Sequence, residues 1–381
     1  MNTIIHTDLK PKGKELSHKH YETAVILINF GGPSSENSVK SFLYNLFSDP
    51  QVINFPLSFI YRKPLAWLIS NIRNKVSSEM YKSIGSISPL IPITYLQAQK
   101  LQELIDLNKL KINTFIGFRY SKPFIKDVLD DLVNKGYSKI ILLPLFPQYS
   151  YTTTGSAWYE IKKWVKKNKN MVSKINFTGL RKEIPINPEA FESEDKTTTL
   201  EIDFVCSWFH DEDYIDSYTY LIKNSLANLD LRSTEILFSA HSIPYNNIKK
   251  GDPYEKHITE TAEKIINKLN WKKRWHIGYQ SKLGPIKWLE PSTDKVIEEI
   301  GKRNKNVNLL VVPISFVCEH VETIFEIDRL YKEIAKKNGI KKFVRVPALN
   351  TDKYLIQALY NQIIDCLENS QADIKELMLM R

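Results

Sequence analysis

Apolar runs alternate with segments of helical periodicity along the first half of the chain. Three runs are strand-like, and each is followed by a turn or a helix: "TAVILIN", "INTFIGF" and "KIILLP". The segments "KPFIKDVLDDLVNKGY" and "TGSAWYEIKKWVKKNKN" space their apolar residues at intervals of three and four, which is typical of amphipathic helices. Continuous apolar runs are typical of parallel strands buried on both faces. The first half therefore predicts β-α-β units around a parallel sheet.

The second half repeats this alternation. Its strand-like runs are "EILFSAH", "RWHIGYQS", "NLLVVPISF" and "FVRVPALN", and the segments between them have helical spacing. One of these helices begins at "PSTD", where proline and serine are typical of a helix N-terminus. The chain is therefore predicted to be an α/β protein with two domains, residues 21–180 and 203–350, followed by a closing helix at 351–381.

Three segments interrupt the alternation. Residues 1–20 are polar and predict a disordered tail, and residues 181–202 are polar with prolines and an acidic cluster, which predicts a linker or insertion. Residues 56–72, "PLSFIYRKPLAWLISNI", are apolar but contain Arg62, Lys63 and Pro64. A membrane span needs about 18–20 apolar residues, so this segment predicts a lid or a surface-seeking element.

Composition narrows the class of protein. The chain has 381 residues, a formal net charge of +10 and three cysteines, Cys206, Cys318 and Cys366. The cysteines are far apart, so no disulfide framework or metal pair is visible, and a reducing intracellular setting fits best.

The positive charge suits nucleic acid, an anionic membrane or an acidic small molecule, or else reflects lysine-rich composition with no partner. Because the lysines are dispersed and no nucleic-acid module is recognised, we expect no nucleic-acid partner.

Ionisable residues follow two of the predicted strands. His241 ends "LFSAH", and Glu319, His320 and Glu322 come just after "NLLVVPISF", with Glu326 one helical turn further on the face of Glu322. In parallel α/β folds the loops after the carboxyl ends of strands carry the site. Histidine and carboxylate together bind divalent ions or move protons near neutral pH. The alternatives are a capping histidine and a first-turn glutamate that answers the helix dipole.

Other loops carry weaker signals. "NFGGP" permits close backbone approach to a ligand or forms a tight turn, and the hydroxyl-rich "PQYSYTTTGSAW" holds an anion or caps a helix. Arg119 follows a strand and suits a carboxylate or phosphate, with a surface salt bridge as the alternative. Trp288 lies in a loop, where an aromatic side chain suits a flat apolar ligand or is buried for structural reasons.

Taken in order, eight separated motifs resemble the ferrochelatase family, the terminal enzymes of haem synthesis. They are "LINFGGP", "FLYNLFSDP", "GFRYSKPFI", "LPLFPQYSYTTTGS", "FSAHSIP", "GDPY", "YQSKLGPIKWLEPSTD" and "VVPISFVCEHVETIFEID". The resemblance covers about residues 23–350, which is most of the chain. It implies two Rossmann-like domains with parallel sheets and a porphyrin cleft between them.

The resemblance also implies a reaction, the insertion of Fe²⁺ into protoporphyrin IX with loss of two protons to give protohaem. His241, Glu322 and His320 match the catalytic positions, and His241 and Glu322 match the iron ligands. Whether His241 accepts the pyrrole protons, binds iron or does both stays open at this point. The matched porphyrin-pocket positions are Phe30, Arg73, Tyr81, Ser88, Arg119, Tyr120 and Trp288.

Further expectations concern cofactors and partners. We expect no iron–sulfur cluster and no cofactor beyond the substrate Fe²⁺, because a four-cysteine site cannot be built from three cysteines in one chain. We expect a cytoplasmic monomer or homodimer with peripheral contact to the inner membrane, where the segment 56–72 forms a lip over the cleft. The alternative functions are a coproporphyrin or cobalt chelatase, and a tetrapyrrole or haem carrier without turnover.

Overall fold

The computed structural model describes residues 23–53, 58–187, 200–282 and 284–379, with the backbone alone for residues 58, 59 and 369–379. The tail predicted at residues 1–20 therefore lies outside the described residues. So do residues 56 and 57 of the predicted lip, and residues 188–199 of the predicted insertion.

Five parallel strands form the sheet of a first lobe. They are β1 (Thr23–Asn29), β2 (Ile112–Phe118), β3 (Lys139–Pro144), β4 (Val172–Thr178) and β5 (Leu200–Val205), in the order β2-β1-β3-β5-β4. Strand β1 is buried along its whole length, because helices cover both faces of the sheet. The helices of this lobe are α1 (Val39–Phe47), α2 (Ser58–Ser83), α3 (Leu90–Leu107), α4 (Ile125–Asn134) and α5 (Thr154–Lys167).

Four parallel strands form the sheet of a second lobe. They are β6 (Thr234–His241), β7 (Trp275–Gln280), β8 (Asn308–Val312) and β9 (Lys342–Arg345), in the order β7-β6-β8-β9. The α-helices are α6 (Glu212–Leu226), α7 (Tyr245–Lys249), α8 (Tyr254–Leu269), α9 (Thr293–Arg303), α10 (Lys332–Lys337) and α11 (Lys353–Leu379). A π-helix, Glu322–Tyr331, runs directly into α10.

The predicted fold class is confirmed, since both sheets are parallel and helices alternate with strands. Strand β1 lies between β2 and β3, and β6 lies between β7 and β8, so the two lobes repeat one arrangement. One apolar cluster runs through both lobes and includes Leu27 of β1 and Phe238 of β6. The lobes therefore share a core that holds their sheets together.

Helix α4 shows how local sequence sets an element. Its residues Ile125, Leu129 and Leu132 are buried on one face, as their spacing predicts. The chain leaves the helix at Gly136, whose φ of +81° lies in the left-handed region. Glycine adopts this conformation without the steric cost that a side chain brings, so the helix ends where the sequence predicts.

The domain boundary predicted at residue 202 needs correction. Residues 200–205 form strand β5, which pairs with β3 and β4, so the first sheet continues beyond the predicted linker. The polar residues of this strand hid it, because Asp203 is buried yet pairs with Lys139 of the neighbouring strand. Ile202 and Phe204 are fully buried and make the packing contacts of a central strand.

Helix α11 accounts for the predicted closing helix. It packs against α3 of the first lobe and against α6, which in turn packs against α8 of the second lobe. Asn361 donates hydrogen bonds to Asp211 and Asp213 at the start of α6. None of the helices in the described part of the chain is both long and apolar enough to cross a membrane.

Candidate active site

His241 is the last residue of β6, and its ring has a defined protonation geometry. Nδ1 lies 2.6 Å from the carbonyl oxygen of Ser242, and the backbone N–H of His241 donates to Ser315 Oγ at 2.9 Å. A carbonyl oxygen only accepts hydrogen bonds, so Nδ1 carries the hydrogen and Nε2 of the neutral ring keeps its lone pair. Burial lowers the pKa of His241 below its usual range, although the charge of Glu322 opposes that effect. The ring is therefore neutral at neutral pH.

Glu322 opens the π-helix and forms a close pair with His320. Its Oε2 lies 2.5 Å from His320 Nδ1. Burial acts to raise the pKa of Glu322, but His320 and then His241 lower it to about 2. Glu322 is therefore ionised at neutral pH. His320 Nε2 is buried and makes no hydrogen bond with any described residue.

A second carboxylate, Glu326, lies one turn further along the same helix. Ser281 Oγ donates to its Oε2 at 2.5 Å and Gln280 Nε2 at 3.1 Å. Burial and the charge of Glu322 raise the pKa of Glu326 to about 7. The two carboxylates thus have pKa values pushed far apart, which is the arrangement that separates acid from base roles in one site. Glu326 was absent from the predicted site residues, and its spacing from Glu322 was the available signal.

The loop after β1 presents an aromatic surface. The ring of Phe30 stacks on Tyr120 at 5.5 Å and is tilted against Phe146 at 4.9 Å. Gly32 explains the shape of this loop, because a Cβ there would lie 2.5 Å from Cβ of Ser88. The Gly-Gly sequence is therefore needed for a tight turn packed against Ser88, which is the structural alternative raised from the sequence.

Arg119 has a buried partner within the first lobe. Its Nη2 lies 3.0 Å from Asp49 Oδ2, and its Nε donates to Ser156 Oγ at 2.9 Å. Tyr120 Oη also donates to Asp49 Oδ2, at 2.7 Å. The side chain of Asp49 is 0% exposed and that of Arg119 is 13% exposed, so this is an internal ion pair. Sequence reasoning missed Asp49, which stands in the quoted motif "FLYNLFSDP" without a partner visible nearby.

Helix α2 contains most of the predicted lip and two predicted pocket residues. Tyr81 is buried and close enough to Glu322 for that carboxylate to raise its pKa together with burial. Arg73 lies near Glu326, whose charge opposes the lowering of the Arg73 pKa by burial. Ala66 and Tyr81 of α2 belong to an apolar cluster with Val321, just before the π-helix. Helix α2 therefore brings the first lobe against the candidate site residues of the second.

Comparison with known proteins decides the family. The Ferrochelatase family matches residues 22–179 and 187–366. Ferrochelatases of Prochlorococcus marinus strain AS9601 and of Synechococcus elongatus are 39% and 36% identical over 92% and 93% of this chain, and over 84% and 85% of their own lengths. The chain belongs to the ferrochelatase family. It is therefore an enzyme of haem synthesis, a lyase-type chelatase that inserts iron into a porphyrin.

Among solved structures, the iron-bound SirB from Bacillus subtilis resembles this ferrochelatase in fold. The TM-score is 0.50, with 13% sequence identity over 72% of this chain and 90% of that one. At this identity the likeness concerns the fold alone. It agrees with the two parallel sheets described above.

Trp288 completes the survey of predicted ferrochelatase pocket residues. It is half-buried and forms a backbone bridge with Pro244, in the loop that follows His241. Leu289 N–H donates to the Ile243 carbonyl at 2.9 Å, which fixes the two loops side by side. The structure therefore places Trp288 beside the loop that follows His241. It places His320 and Tyr81 near Glu322, and Arg73 near Glu326. Phe30, Ser88, Arg119 and Tyr120 form a separate group in the first lobe.

Iron is a substrate of a ferrochelatase, so its site must release it. Within the described ranges, no three His, Cys, Asp or Glu side chains converge to hold a metal ion. His241 and Glu322 offer one imidazole nitrogen and one ionised carboxylate, which suit a ferrous ion. A site with these two protein ligands would leave other coordination positions to water or to pyrrole nitrogens.

Proposed function

We propose that this ferrochelatase inserts Fe²⁺ into protoporphyrin IX and that His241 and Glu322 act at the reacting centre. The observation that supports the proposal is the pairing of a neutral imidazole, whose Nε2 keeps its lone pair, with a carboxylate that stays ionised. Metal insertion requires a site that attracts a cation and also accepts protons. This pair does both near neutral pH.

The order of events follows from counting lone pairs. Porphyrin gives up two N–H protons as its four nitrogens bind iron. One imidazole lone pair cannot hold an iron ion and a proton together. We therefore propose that Nε2 of His241 and Glu322 first hold Fe²⁺ and that the two unprotonated ring nitrogens then take the ion. Nε2, now free, accepts one pyrrole proton, and the second passes to the ionised form of Glu326 as the remaining two nitrogens bind iron. Glu326, with a pKa of about 7, exchanges protons near neutral pH and carries them away from the pair.

The first lobe binds the macrocycle in this proposal. A porphyrin is flat and largely apolar, so it suits the half-buried rings of Phe30 and Phe146, with the buried ring of Tyr120 stacked behind Phe30. Its propionates require cationic or hydroxyl donors. Because Arg119 already pairs with Asp49, we assign the propionates to Arg73 on α2 and leave Arg119 the role of supporting Tyr120.

The choice of porphyrin separates this proposal from its nearest alternative. Coproporphyrin replaces the two vinyl groups of protoporphyrin with additional propionates. Apolar side chains are poor neighbours for additional carboxylates, and α2 exposes Trp67, Leu68 and Ile72. We therefore propose protoporphyrin IX as the substrate and Fe²⁺ as the metal, with coproporphyrin and Co²⁺ as the alternatives.

The deciding experiment is anaerobic incubation of the purified enzyme with Fe²⁺ and each porphyrin, followed by haem absorbance and loss of porphyrin fluorescence. We expect a higher kcat/KM with protoporphyrin IX than with coproporphyrin III. A preference for coproporphyrin III would overturn the substrate assignment. Tight porphyrin binding without haem formation would instead support the carrier, and faster turnover with Co²⁺ would support the cobalt chelatase.

We also propose peripheral membrane contact through α2. Six of its large apolar side chains are exposed to solvent; they are Ile60, Tyr61, Trp67, Leu68, Ile72 and Val76. Lys63 and Lys75 on the same helix suit an anionic bilayer surface. Vesicles with anionic lipid should sediment the wild type more strongly than a Trp67→Ser, Ile72→Ser variant. Equal sedimentation of both proteins would contradict this contact.

The remaining proposals concern location and cofactors. We propose a monomer or a homodimer. We place the enzyme in the cytoplasm at the inner face of the inner membrane. All three cysteines are buried, and one chain supplies three of the four thiolates that a cluster needs, so we propose an enzyme without an iron–sulfur cluster. Acid-labile sulfide in the purified enzyme would contradict that prediction.

A further inference from the structure

The helix that carries both active-site carboxylates has an uncommon geometry. Residues Glu322–Tyr331 form a π-helix, and regular α-helix resumes at α10. π-turns are rare because the wider i→i+5 turn packs its backbone less well than an α-helix does. The direction in which Glu322 points depends on this wider turn, so some contact must hold the register of the helix.

Arg345 makes such a contact from the end of β9. Its Nε lies 2.8 Å from Asp328 Oδ1 and its Nη2 lies 2.9 Å from Asp328 Oδ2, which is a bidentate pair. Its third nitrogen, Nη1, donates to Glu319 Oε1 at 2.7 Å. The side chain of Arg345 is only 13% exposed, so water screens these pairs weakly. One guanidinium therefore ties the residue that precedes His320 to the middle of the π-helix.

Both carboxylate oxygens of Glu319 accept further hydrogen bonds. The same Oε1 accepts the backbone N–H of Ala348 at 3.0 Å, and its Oε2 accepts the hydroxyl of Thr323. Glu319 thus connects the strand β9 region to the first turn of the helix. Its role here is structural, while the neighbouring His320 pairs with Glu322.

We propose that Arg345 is a positioning residue that locks the π-register and so aims Glu322 at His241. An α-helix rotates about 100° per residue and a π-helix rotates less, so the two registers diverge by roughly a third of a turn over six residues. Asp328 lies six residues after Glu322. While Arg345 holds Asp328, a change to the α-register would turn Glu322 away from the site.

Arginine is suited to this role because its planar fork offers donors in two directions at once. It meets the carboxylate of Asp328 in a bidentate pair and still reaches Glu319. Lysine offers a point charge and cannot reproduce the fork. Gln280 Nε2 also donates to the Glu322 carbonyl at 3.0 Å, and Arg345 takes no part in this contact.

The inference rests on the role proposed for Glu322, so the test separates the two. The variants are Arg345→Ala, Arg345→Lys and Asp328→Asn. The control is Arg303→Ala, which removes an Arg–Glu pair with Glu235 in the same lobe without touching the π-helix. The measurements are kcat for haem formation, the porphyrin Kd from fluorescence, the folded fraction from near-UV circular dichroism, and the Kd of Co²⁺ alone.

We expect Arg345→Ala to lower kcat by about 10–100-fold with little change in porphyrin Kd, as is usual when a supporting partner of a metal-binding residue is lost. Arg345→Lys should lie between Ala and wild type. Added guanidinium ion should restore part of the lost kcat in Arg345→Ala, because it refills the space between Asp328 and Glu319. Arg303→Ala should keep the wild-type kcat.

Three results would overturn the proposal. One is a kcat of folded Arg345→Ala equal to that of Arg303→Ala. If Arg345→Ala does not fold, an unchanged kcat in Asp328→Asn serves the same purpose, since that variant keeps the pair with Glu319. The third is a Co²⁺ Kd that weakens in Glu322→Gln but not in Arg345→Ala. A wild type that forms no haem would count against the proposed function instead, and the Co²⁺ measurement would still judge Arg345.

Discussion

Strands β1 and β6 occupy the same place in their sheets, but an apolar residue follows β1 and an ionisable residue ends β6. Each lies between two parallel neighbours, and the loop after each carries predicted site residues. After β1 comes Phe30, surrounded by the rings of Tyr120 and Phe146, whereas β6 ends in His241, surrounded by hydroxyls, a carbonyl and a carboxylate. One scaffold position, used twice, thus supplies an apolar surface in one lobe and a reactive group in the other.

Charged groups in the two lobes differ in a related way. In the first lobe, Arg119 and Asp49 satisfy each other, with Ser156 and Tyr120 as further partners. In the second, Glu322 pairs with His320, but His320 Nε2 makes no hydrogen bond with a described residue and His241 Nε2 keeps its lone pair. A satisfied buried pair stabilises a fold, while a cluster with unused ligand positions can react.

The sharpest test of this contrast removes the reactive groups. We expect His241→Ala and Glu322→Gln each to lower kcat roughly a thousandfold, within the range for loss of an acid–base group. The porphyrin Kd should stay close to wild type, because we propose that the first lobe binds the ring. Anaerobic haem assays and fluorescence titration measure the two quantities. His276→Ala, which removes a histidine paired with Glu235 in the same sheet, should keep normal kcat. Loss of porphyrin affinity in place of kcat would break the contrast.

The corresponding change in the first lobe should affect stability. Asp49→Asn leaves Arg119 buried without its main partner, so we expect the free energy of unfolding to fall by about 3 kcal/mol. Urea denaturation measures this loss. The control is Asp131→Asn, which breaks an exposed pair with Lys135 and should cost less than about 0.5 kcal/mol. If Asp49→Asn kept full stability, the pair would not be the structural element described here.

The raised pKa of Glu326 predicts how the free energy of unfolding depends on pH. Its pKa is raised from 4.5 to about 7, so the folded protein binds this proton more tightly than the unfolded chain does. Stability therefore falls as pH rises from about 4.5 to about 7 and the cost is complete above pH 7. Glu326→Gln removes that cost, and we expect a gain of about 2 kcal/mol at pH 8 with little gain at pH 4.

Thermal unfolding at the two pH values tests the prediction for Glu326. Glu299→Gln, at an exposed position of α9, serves as the control and should change neither value. Equal gains for Glu326→Gln at both pH values would show that its effect comes from packing or hydrogen bonding and not from ionisation.

The smallest effect is expected for the aromatic surface. Phe30→Ala should weaken porphyrin binding by about tenfold, the equivalent of roughly 1.4 kcal/mol for a lost aromatic contact, and should change kcat less. Phe30→Leu keeps an apolar side chain and should lose less affinity. Fluorescence titration gives both Kd values. A large fall in kcat with unchanged Kd in Phe30→Ala would mean that the two strand ends do not divide binding from chemistry.

Much of the fold and part of the candidate site could be predicted from the local sequence. The strands, the helices between them, and the positions of His241 and Glu322 after strand ends follow from residue spacing, because secondary structure and chain direction depend on neighbouring residues. Strand β5 escaped because Glu201 and Asp203 made its sequence look like a polar linker. An acidic residue in a strand can be exposed to solvent or can pair with a base on the next strand. Sequence alone does not show which, because the partner of Asp203, Lys139, lies on β3 far away in the chain.

What the sequence determined by itself is the α/β alternation, the two repeated strand–loop arrangements and the residue types that suit iron and porphyrin. Tertiary structure alone decided which charges are satisfied and which are available. Asp49 meets Arg119, and Arg345 meets Asp328 and Glu319, across long stretches of chain. It also set the pKa values of Glu322 and Glu326 apart, although both are glutamates on one helix. The reason is that electrostatic interactions depend on distance and burial in space, which spacing along the chain does not specify.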